Sequence, residues 1–244
     1  KIIYTHHITF NDKLVNFIYA DYFVAISEPN KNNLNNNIFI KNNYIIIKNG
    51  VVIKYDKNTE KRSLYNLGFV GRFDKIKGLN FLITSFYNNL NSLSDYKLII
   101  RGEGILDENI KELIEQTDKI EIYEPQTTVE KIYNHIGILI VPSTPNTNAV
   151  ETFPNIVIME AMSLFIPVIC PSNIILDGNF KDGENIIIYK GNDEEDLISK
   201  IMLISKDPVL TKTITENAFT TIVNHFSFEK FGDNILLLYE KIIN

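Results

Sequence analysis

The chain has 244 residues, 45 % of them hydrophobic and 11 % aromatic, which is enough to bury one good core or a core and part of a second. Its net charge of -6 argues against non-specific binding of nucleic acid, which depends on cations that neutralise phosphates. No apolar run approaches the roughly 20 residues of a membrane-spanning helix. The single cysteine, Cys170, cannot form an internal disulfide or a metal cage, which favours a reducing, cytoplasmic location.

The first part of the chain does not contain a complete core. It starts at Lys1 without the apolar length and cleavage site of a secretory signal, and we interpret this start as a cut into a longer protein. Residues 30–43 are rich in asparagine and lysine and are expected to form solvated surface without a function. Strands are predicted at residues 2–4, 22–26 and 44–47, and a helix at residues 13–20.

Beyond residue 66, strand-like and helix-like segments alternate. Strands are predicted at residues 66–70, 96–100, 119–122, 137–141 and 167–170, and helices at residues 79–90, 108–116, 130–135, 155–164, 193–205 and 208–225. Such alternation is typical of an α/β fold, a Rossmann-like parallel sheet with helices on both faces. Ligands of such sheets lie beyond the carboxyl ends of the strands.

A last amphipathic helix is predicted behind Ser227 as its N-cap. One stripe of this helix is expected to be buried, namely Phe228, Phe231, Ile235, Leu238 and Ile242. The predicted organisation is therefore an incomplete first portion at residues 1–55, one domain at residues 56–227, and a C-terminal helix at residues 228–244.

Two clusters of residues could carry chemistry. The first, from Gly71 to Gly78, links a predicted strand to a helix; its glycines let the backbone approach a phosphate, and Arg72 and Lys77 supply positive charge. In the second, Glu151 and Glu160 flank a helix start and could hold sugar and ribose hydroxyls. A solvated turn in the first cluster, and in the second a capping Glu151 with a solvated Glu160, are the structural alternatives.

Together and in order, the motifs resemble those of the retaining GT-B glycosyltransferases of family 4. The chain contains a G-R-x-D-x-x-K-G loop, then G-x-G, Pro-Ser, E-x-F-P, E-A-M and a Pro-Val-Ile strand, preceded by an Asn-Gly-Val segment at residues 49–51. The resemblance covers nearly the whole chain. It implies a GT-B fold, with residues 56–227 as the nucleotide-sugar-binding domain and residues 1–55 as the end of an N-terminal Rossmann-like domain.

The resemblance also implies roles for individual residues. Gly71, Arg72 and Lys77 correspond to the binding site of the donor diphosphate, Glu160 to the ribose contact, and Glu151 to a catalytic position against the transferred sugar. The remaining positions that match the donor site are Thr152, Phe153, Pro154 and Asn155.

A histidine near the start is a further candidate. Thr5-His6-His7 is similar to a T-x-H motif that faces the cleft in this family, which implies a catalytic role for His7. A surface pair of histidines at a strand end is the alternative. Adjacent side chains of a strand point to opposite faces, so the pair is not expected to bind a metal.

Three departures from the family pattern stand out. Eight residues separate Glu151 from Glu160 instead of seven, so the loop or the first helical turn must absorb one residue. Phe165 stands where the family has a glycine that ends a helix, and we expect that helix to end differently. Residues 172–177 lack the paired glycines that usually follow the Pro-Val-Ile strand.

The function that these observations predict is transfer of a sugar, with retention, from a UDP- or GDP-linked donor to an unknown glycan, lipid or protein acceptor. No metal and no cofactor are expected, because Arg72 and Lys77 would stabilise the departing diphosphate. Peripheral membrane contact would come from the missing N-terminal part. Two alternatives remain open: a non-catalytic nucleotide-sugar-binding module or half-enzyme that needs a partner chain, and a hydrolase or epimerase that acts on the donor.

Overall fold

The chain forms two parallel sheets. The computed structural model describes residues 1–7, 17–34, 37, 43–53, 62–144 and 155–243. The smaller sheet has the order β1-β2-β3, with β1 (Ile3–His6), β2 (Tyr22–Ala25) and β3 (Tyr44–Ile46). The larger sheet consists of β4 (Asn66–Val70), β5 (Lys97–Arg101), β6 (Ile120–Tyr123), β7 (Ile138–Ile140), β8 (Val168–Pro171) and β9 (Ile187–Tyr189). Its order is β6-β5-β4-β7-β8-β9.

Helices cover both faces of the larger sheet. The helices in the described part of the chain are α1 (Glu28–Leu34), α2 (Leu79–Asn88), α3 (Glu108–Glu115), α4 (Val129–Tyr133), α5 (Ile156–Ser163), α6 (Glu194–Lys206), α7 (Pro208–His225) and α8 (Phe228–Ile243). Of these, α1 and α8 pack against the smaller sheet. Helices α2, α3 and α6 pack on one face, and α4 and α5 on the other, while α7 contributes Ile214 to the first core and Ala218 and Ile222 to the second. The predicted α/β fold with a parallel sheet between two helical layers is confirmed. Within the described residues, no helix has both the length and the apolar character needed to cross a bilayer.

The connection between strands changes direction next to β4. The chain leaves β4 towards β5 and β6 on one side, and then returns to place β7 against the other side of β4. A crevice opens at such a switch point between the carboxyl ends of the two central strands. The segments that follow β4 and β7 therefore lie at the edge where a ligand is expected.

Helix α8 leaves the larger sheet and packs against the smaller one. The chain passes from the smaller to the larger sheet near Val51 and returns near Phe226, and the two crossings are joined by hydrogen bonds. Val51 N donates to Phe226 O at 2.8 Å, and the carbonyl of Val51 accepts from Phe228 N at 2.9 Å. Leu238 and Ile242 of α8 form one apolar cluster with Val24, Ile47 and neighbouring side chains. The predicted burial of Phe228 is wrong: its side chain is 53 % exposed, because the helix begins at the crossing before it reaches the small sheet.

The asparagine-rich stretch differs from its prediction as solvated surface. It contributes most of α1, in which Asn30 is buried and its N–H donates to Ser27 Oγ at 3.3 Å. Asn37 is also buried, and its amide donates to Ile18 O at 2.9 Å. These asparagines are therefore structural, since their side chains or backbone groups satisfy polar partners inside the small unit. The sequence does not predict the short strand β9. Of the helix predicted at residues 13–20, residues 13–16 lie outside the described residues, and residues 18–20 are not helical, so that part of the prediction is wrong.

The end of α5 corrects a second prediction. Phe165 itself adopts the left-handed conformation, with φ of 56°, so the helix ends as it would with a glycine. Phe165 N donates to Met162 O at 3.2 Å, and Ile166 N donates to Ala161 O at 2.9 Å, which is the hydrogen-bond pattern of a Schellman motif. The ring of Phe165 stacks on Phe219 with centroids 4.2 Å apart, and this contact offsets backbone strain.

The strain at Phe165 is testable with two substitutions that differ by one methyl group. Phe165→Ala and Phe165→Gly both lose the stacked ring, but only alanine keeps a Cβ in the left-handed region. We expect the glycine variant to be more stable than the alanine variant by about 1 kcal/mol, the reverse of the order inside a helix. Urea denaturation of both variants measures this difference. The same pair of substitutions at Lys200, in the middle of α6, should favour alanine; an alanine preference at position 165 too would contradict the strain.

Candidate functional site

The loop from Gly71 to Gly78 is joined to the segment that follows β7. Gly78 has φ of 70°, and a Cβ there would lie 2.0 Å from Pro142 O, so only glycine fits. Thr144 N donates to Ile76 O at 2.9 Å, and its hydroxyl donates to Lys75 O at 2.8 Å. The predicted phosphate loop and the Pro-Ser segment thus form one unit across the switch point.

The other side of the loop is fixed by the end of β5. Gly71 N donates to Arg101 O at 3.0 Å, and Phe73 N donates to Glu103 O at 2.7 Å. A Cβ at Gly102 would lie 1.8 Å from the carbonyl oxygen of Gly71, which explains the glycine that follows Arg101. The backbone of the loop is therefore held in place from two neighbouring segments, as a preorganised anion site requires.

The two predicted cations of the loop have different surroundings. Arg72 is exposed, and its guanidinium lies 3.0 Å from the carboxylate of Asp74. Exposed ion pairs of this kind contribute little to stability, so Arg72 can exchange Asp74 for an anionic ligand at low cost. Lys77 is partly buried in a short 3-10 helix, Lys75–Lys77, directly before α2.

Glu160 lines a cavity of about 370 Å³ between α4, α5 and the segment that links the two sheets. Its walls are formed by Gly50, Val51, Val52, Val129, Glu130, Tyr133, Asn134, Ile156, Glu160, Ser163 and Leu164. Asn155 is the N-cap of α5, because its side-chain oxygen accepts from Val157 N at 3.1 Å and Ile158 N at 3.4 Å. This cap sets the start of the helix that carries Glu160.

Sequence reasoning missed a hydrogen bond to Glu160. The Tyr133 hydroxyl donates to Glu160 Oε2 at 3.0 Å and lies 3.3 Å from Val157 O. Burial and the adjacent carboxylate raise the pKa of Tyr133 well above its ordinary value, so its hydroxyl keeps its proton. Arg101 opposes that shift by its positive charge.

Arg101 is a second residue of this region whose role was not predicted. Its guanidinium donates to Pro125 O at 2.8 Å and to Thr127 O at 3.3 Å. These bonds fix the segment that leads into α4 and so the helix that carries Tyr133. Since Gly71 N also bonds the carbonyl of Arg101, a continuous set of contacts connects the phosphate loop to Glu160.

Residues 47–53, which we call the linking segment, lead from β3 towards the larger sheet, and residues 50–52 form the third wall of the cavity. Its Lys48 makes an ion pair with Asp177 at 2.5 Å, and the lysine ammonium lies 5.4 Å from the centre of the Phe226 ring. Burial alone would raise the pKa of Asp177, but hydrogen bonds from Lys48 and from the backbone of Asn179 outweigh it and lower that pKa. The loop without paired glycines, residues 172–177, therefore ends in an anchor for the linking segment.

The other predicted site residues do not meet in this cavity. His7 follows β1 and is exposed, whereas His6 is buried at the end of the strand, and neither lines the cavity. Arg72 and Lys77 also lie outside its walls. Glu151, Thr152, Phe153 and Pro154 lie outside the described residues. Within the described part of the chain, Glu160 is therefore in contact with Tyr133. The catalytic roles of Glu151 and His7 stay predictions.

Comparison with known proteins identifies the family. The parallel sheet, with its switch point next to β4 and helices on both faces, defines a Rossmann-like domain. The family model described as glycosyl transferases group 1 matches residues 53–221, more than half of the chain, and the chain belongs to this family.

Relatives by sequence include a capsular polysaccharide biosynthesis glycosyltransferase, CapM, of Staphylococcus aureus, which is 25 % identical over 251 residues. The match covers 95 % of this chain and 64 % of CapM. An uncharacterized glycosyltransferase of Methanocaldococcus jannaschii, MJ1178, is 29 % identical over 232 residues, which cover 91 % of this chain and 60 % of that protein. The chain thus spans about three fifths of the length of these curated relatives.

Solved structures share the fold. Anabaena Alr3699/HepE in complex with UDP superposes with a TM-score of 0.79 at 18 % identity, over 98 % of this chain and 72 % of HepE. TarM superposes with a TM-score of 0.78, also at 18 % identity, over 97 % of this chain and 50 % of TarM. The architecture is therefore that of GT-B glycosyltransferases, as predicted.

The ion pair between Lys48 and Asp177 predicts a pH dependence of stability. Its contribution is fully present above the unfolded pKa of Asp, about 3.9, and declines as the pH falls through the lowered folded value. Wild type should therefore be more stable than Asp177→Asn at pH 7, and the difference should shrink at pH 3. Urea unfolding at pH 7, 5 and 3 measures it, with Lys48→Gln as the matched partner variant. An equal difference at pH 7 and pH 3 would exclude this role of the carboxylate.

Proposed function

We propose that the chain supplies the donor-binding side of a retaining glycosyltransferase that transfers a sugar from a nucleoside diphosphate sugar. The observation that carries the proposal is Glu160 in the wall of a cavity between α4, α5 and residues 50–52, in a chain of the group 1 family. A cavity of about 370 Å³ lies in the size range of small-ligand pockets.

The nucleoside of the donor would occupy this cavity. The Glu160 carboxylate would accept hydrogen bonds from ribose hydroxyls, and such charge-assisted bonds are stronger than neutral ones. The apolar walls, including Val129 and Leu164, would pack against the flat base. UDP is named as the bound ligand of HepE, which supports UDP as the first candidate, with GDP as the second.

The diphosphate would lie on the loop from Gly71 to Gly78. Backbone N–H groups at the start of α2 and the cations Arg72 and Lys77 would offset its charge. During transfer, negative charge grows on the departing diphosphate, and fixed positive groups stabilise it without reorganisation. We propose this as a route to catalysis that needs no metal and no cofactor.

The transferred sugar would lie towards Glu151, with Thr152, Phe153, Pro154 and Asn155 around it. His7 would face the diphosphate or the acceptor from the smaller sheet. The acceptor, a glycan, lipid or protein, would bind on the side of the part of the relatives that the chain does not span. A cytoplasmic location and peripheral membrane contact through that part complete the proposal.

The phosphate loop predicts a preference for diphosphate over nucleoside. UDP should raise the melting temperature of the chain much more than uridine, because the phosphates meet the positive potential of the loop. Arg72→Ala should remove most of the difference. Thermal denaturation with each ligand measures it, and Lys111→Ala is the control, since Lys111 is a cation in a similar exposed ion pair, with Glu108 on α3. Equal shifts by UDP and uridine in the parent chain would refute the assignment of the loop.

The two glutamates should separate nucleotide binding from sugar binding. Glu160→Ala should weaken the binding of UDP by about 1–3 kcal/mol, the range for a hydrogen bond to a charged group. Glu151→Ala should leave the affinity for UDP unchanged and lower the affinity for UDP-glucose, because Glu151 is assigned to the sugar. Calorimetry with both ligands on both variants tests this. If Glu151→Ala weakens UDP as much as Glu160→Ala, the extra residue between the two has shifted their roles.

A further inference from the structure

We propose that Tyr133 is a positioning residue that fixes the Glu160 carboxylate for recognition of ribose and so determines the preference for ribonucleotides. The inference rests on the proposed function of the cavity. It assigns a role to a residue that would not itself touch the chemistry of transfer, and it depends on one hydroxyl group between α4 and α5.

The geometry gives the Tyr133 hydroxyl proton a choice of two acceptors. Glu160 Oε2 lies at 3.0 Å and Val157 O at 3.3 Å, and a hydroxyl has only one proton to donate. The charged carboxylate is the stronger acceptor and lies nearer, so the proton points to Glu160. The ring of Tyr133 is buried in the core between α4, α5 and the sheet, which fixes the direction of the donor.

A glutamate side chain has several rotamers, and each hydrogen bond that it makes before a ligand enters reduces their number. Fixing such a side chain when a ligand binds costs free energy unless the side chain is already preorganised. The bond from Tyr133 reduces that loss, because Glu160 is already held against the cavity wall before a ligand enters. Burial raises the pKa of Tyr133, so the bond persists over the whole neutral range of pH.

The position of Tyr133 is itself determined by the end of β5. Arg101 bonds the carbonyls of Pro125 and Thr127, directly before α4. The same strand end bonds the backbone of Gly71. Therefore the orientation of Glu160 and the placement of the phosphate loop depend on one strand end, and the ribose and diphosphate contacts are set relative to each other.

The test compares UDP with 2′-deoxy-UDP and 3′-deoxy-UDP by calorimetry on the wild-type chain and on Tyr133→Phe. Phenylalanine keeps the buried ring and removes only the hydroxyl. Wild type should prefer UDP over at least one deoxy analogue by about tenfold or more, as expected for a lost hydrogen bond to a carboxylate. In Tyr133→Phe the preference should fall to about threefold or less, while the affinity for that deoxy analogue stays within about twofold.

Tyr96→Phe is the matched control. Tyr96 is also buried, and its hydroxyl bonds Ser205 at 2.5 Å on the opposite face of the sheet. This variant should keep the wild-type preference. Glu160→Gln by itself should abolish the preference for UDP over the deoxy analogue. The double variant Glu160→Gln with Tyr133→Phe should then show the same preference as Glu160→Gln.

Each other outcome overturns a defined statement. Two outcomes would show that Tyr133 has only a structural role. In one, Tyr133→Phe keeps the wild-type preference for UDP over the deoxy analogues; in the other, it lowers the affinity for all three ligands equally. In both, the proposed function stands. If wild type binds UDP without preferring it to either analogue, Glu160 does not read the ribose and the role of Tyr133 is refuted. If neither UDP nor GDP binds the wild-type chain, the proposed function fails, and the role of Tyr133 fails with it.

Discussion

The pairing of β4 with β7 is the constraint on which the candidate site depends. Two parallel strands that are distant in sequence must end at the same edge, so the segments after them must share a small space. Gly78 resolves this crowding, since its missing Cβ leaves room for Pro142 O. The same principle recurs between β4 and β5, where Gly102 makes room for Gly71 O. The sheet thus positions the phosphate loop through backbone contacts, before any side chain is considered.

The larger sheet was predictable because its signals are local. Apolar runs that alternate with helical periodicity place every strand of this sheet except β9 within a few residues, and β4 is an example. Phe165 shows the limit of this approach. Its left-handed backbone is disfavoured by its own chemistry, and only the stacked ring of Phe219, distant in sequence, offsets that cost. The prediction that Asn30 lies on a solvated surface is wrong for a related reason, since composition does not reveal a buried hydrogen-bond partner.

The candidate site was predictable in part. Glu160 follows from the motif that it begins, and it lines a cavity of suitable size. Tyr133 did not follow, because a tyrosine at helical spacing before a strand has the pattern of an ordinary core residue. Its partner lies 27 positions away on another helix, and only packing shows that the two meet. Residues that hold another side chain or a backbone segment through tertiary contacts leave no periodic signal, which explains why the sequence does not reveal the contacts of Arg101 either.

The docking of α8 on the small sheet has a consequence for how the chain is made. Val24 and Ile47 precede the helix that covers them by most of this chain, so they leave the ribosome well before α8 does. Lys1 even bonds the carbonyl of Ile242, almost the whole length of the chain away. The larger sheet can fold during synthesis, whereas the small sheet keeps an apolar face exposed until α8 has emerged. A nascent chain stalled before residue 228 should therefore present that face to chaperones.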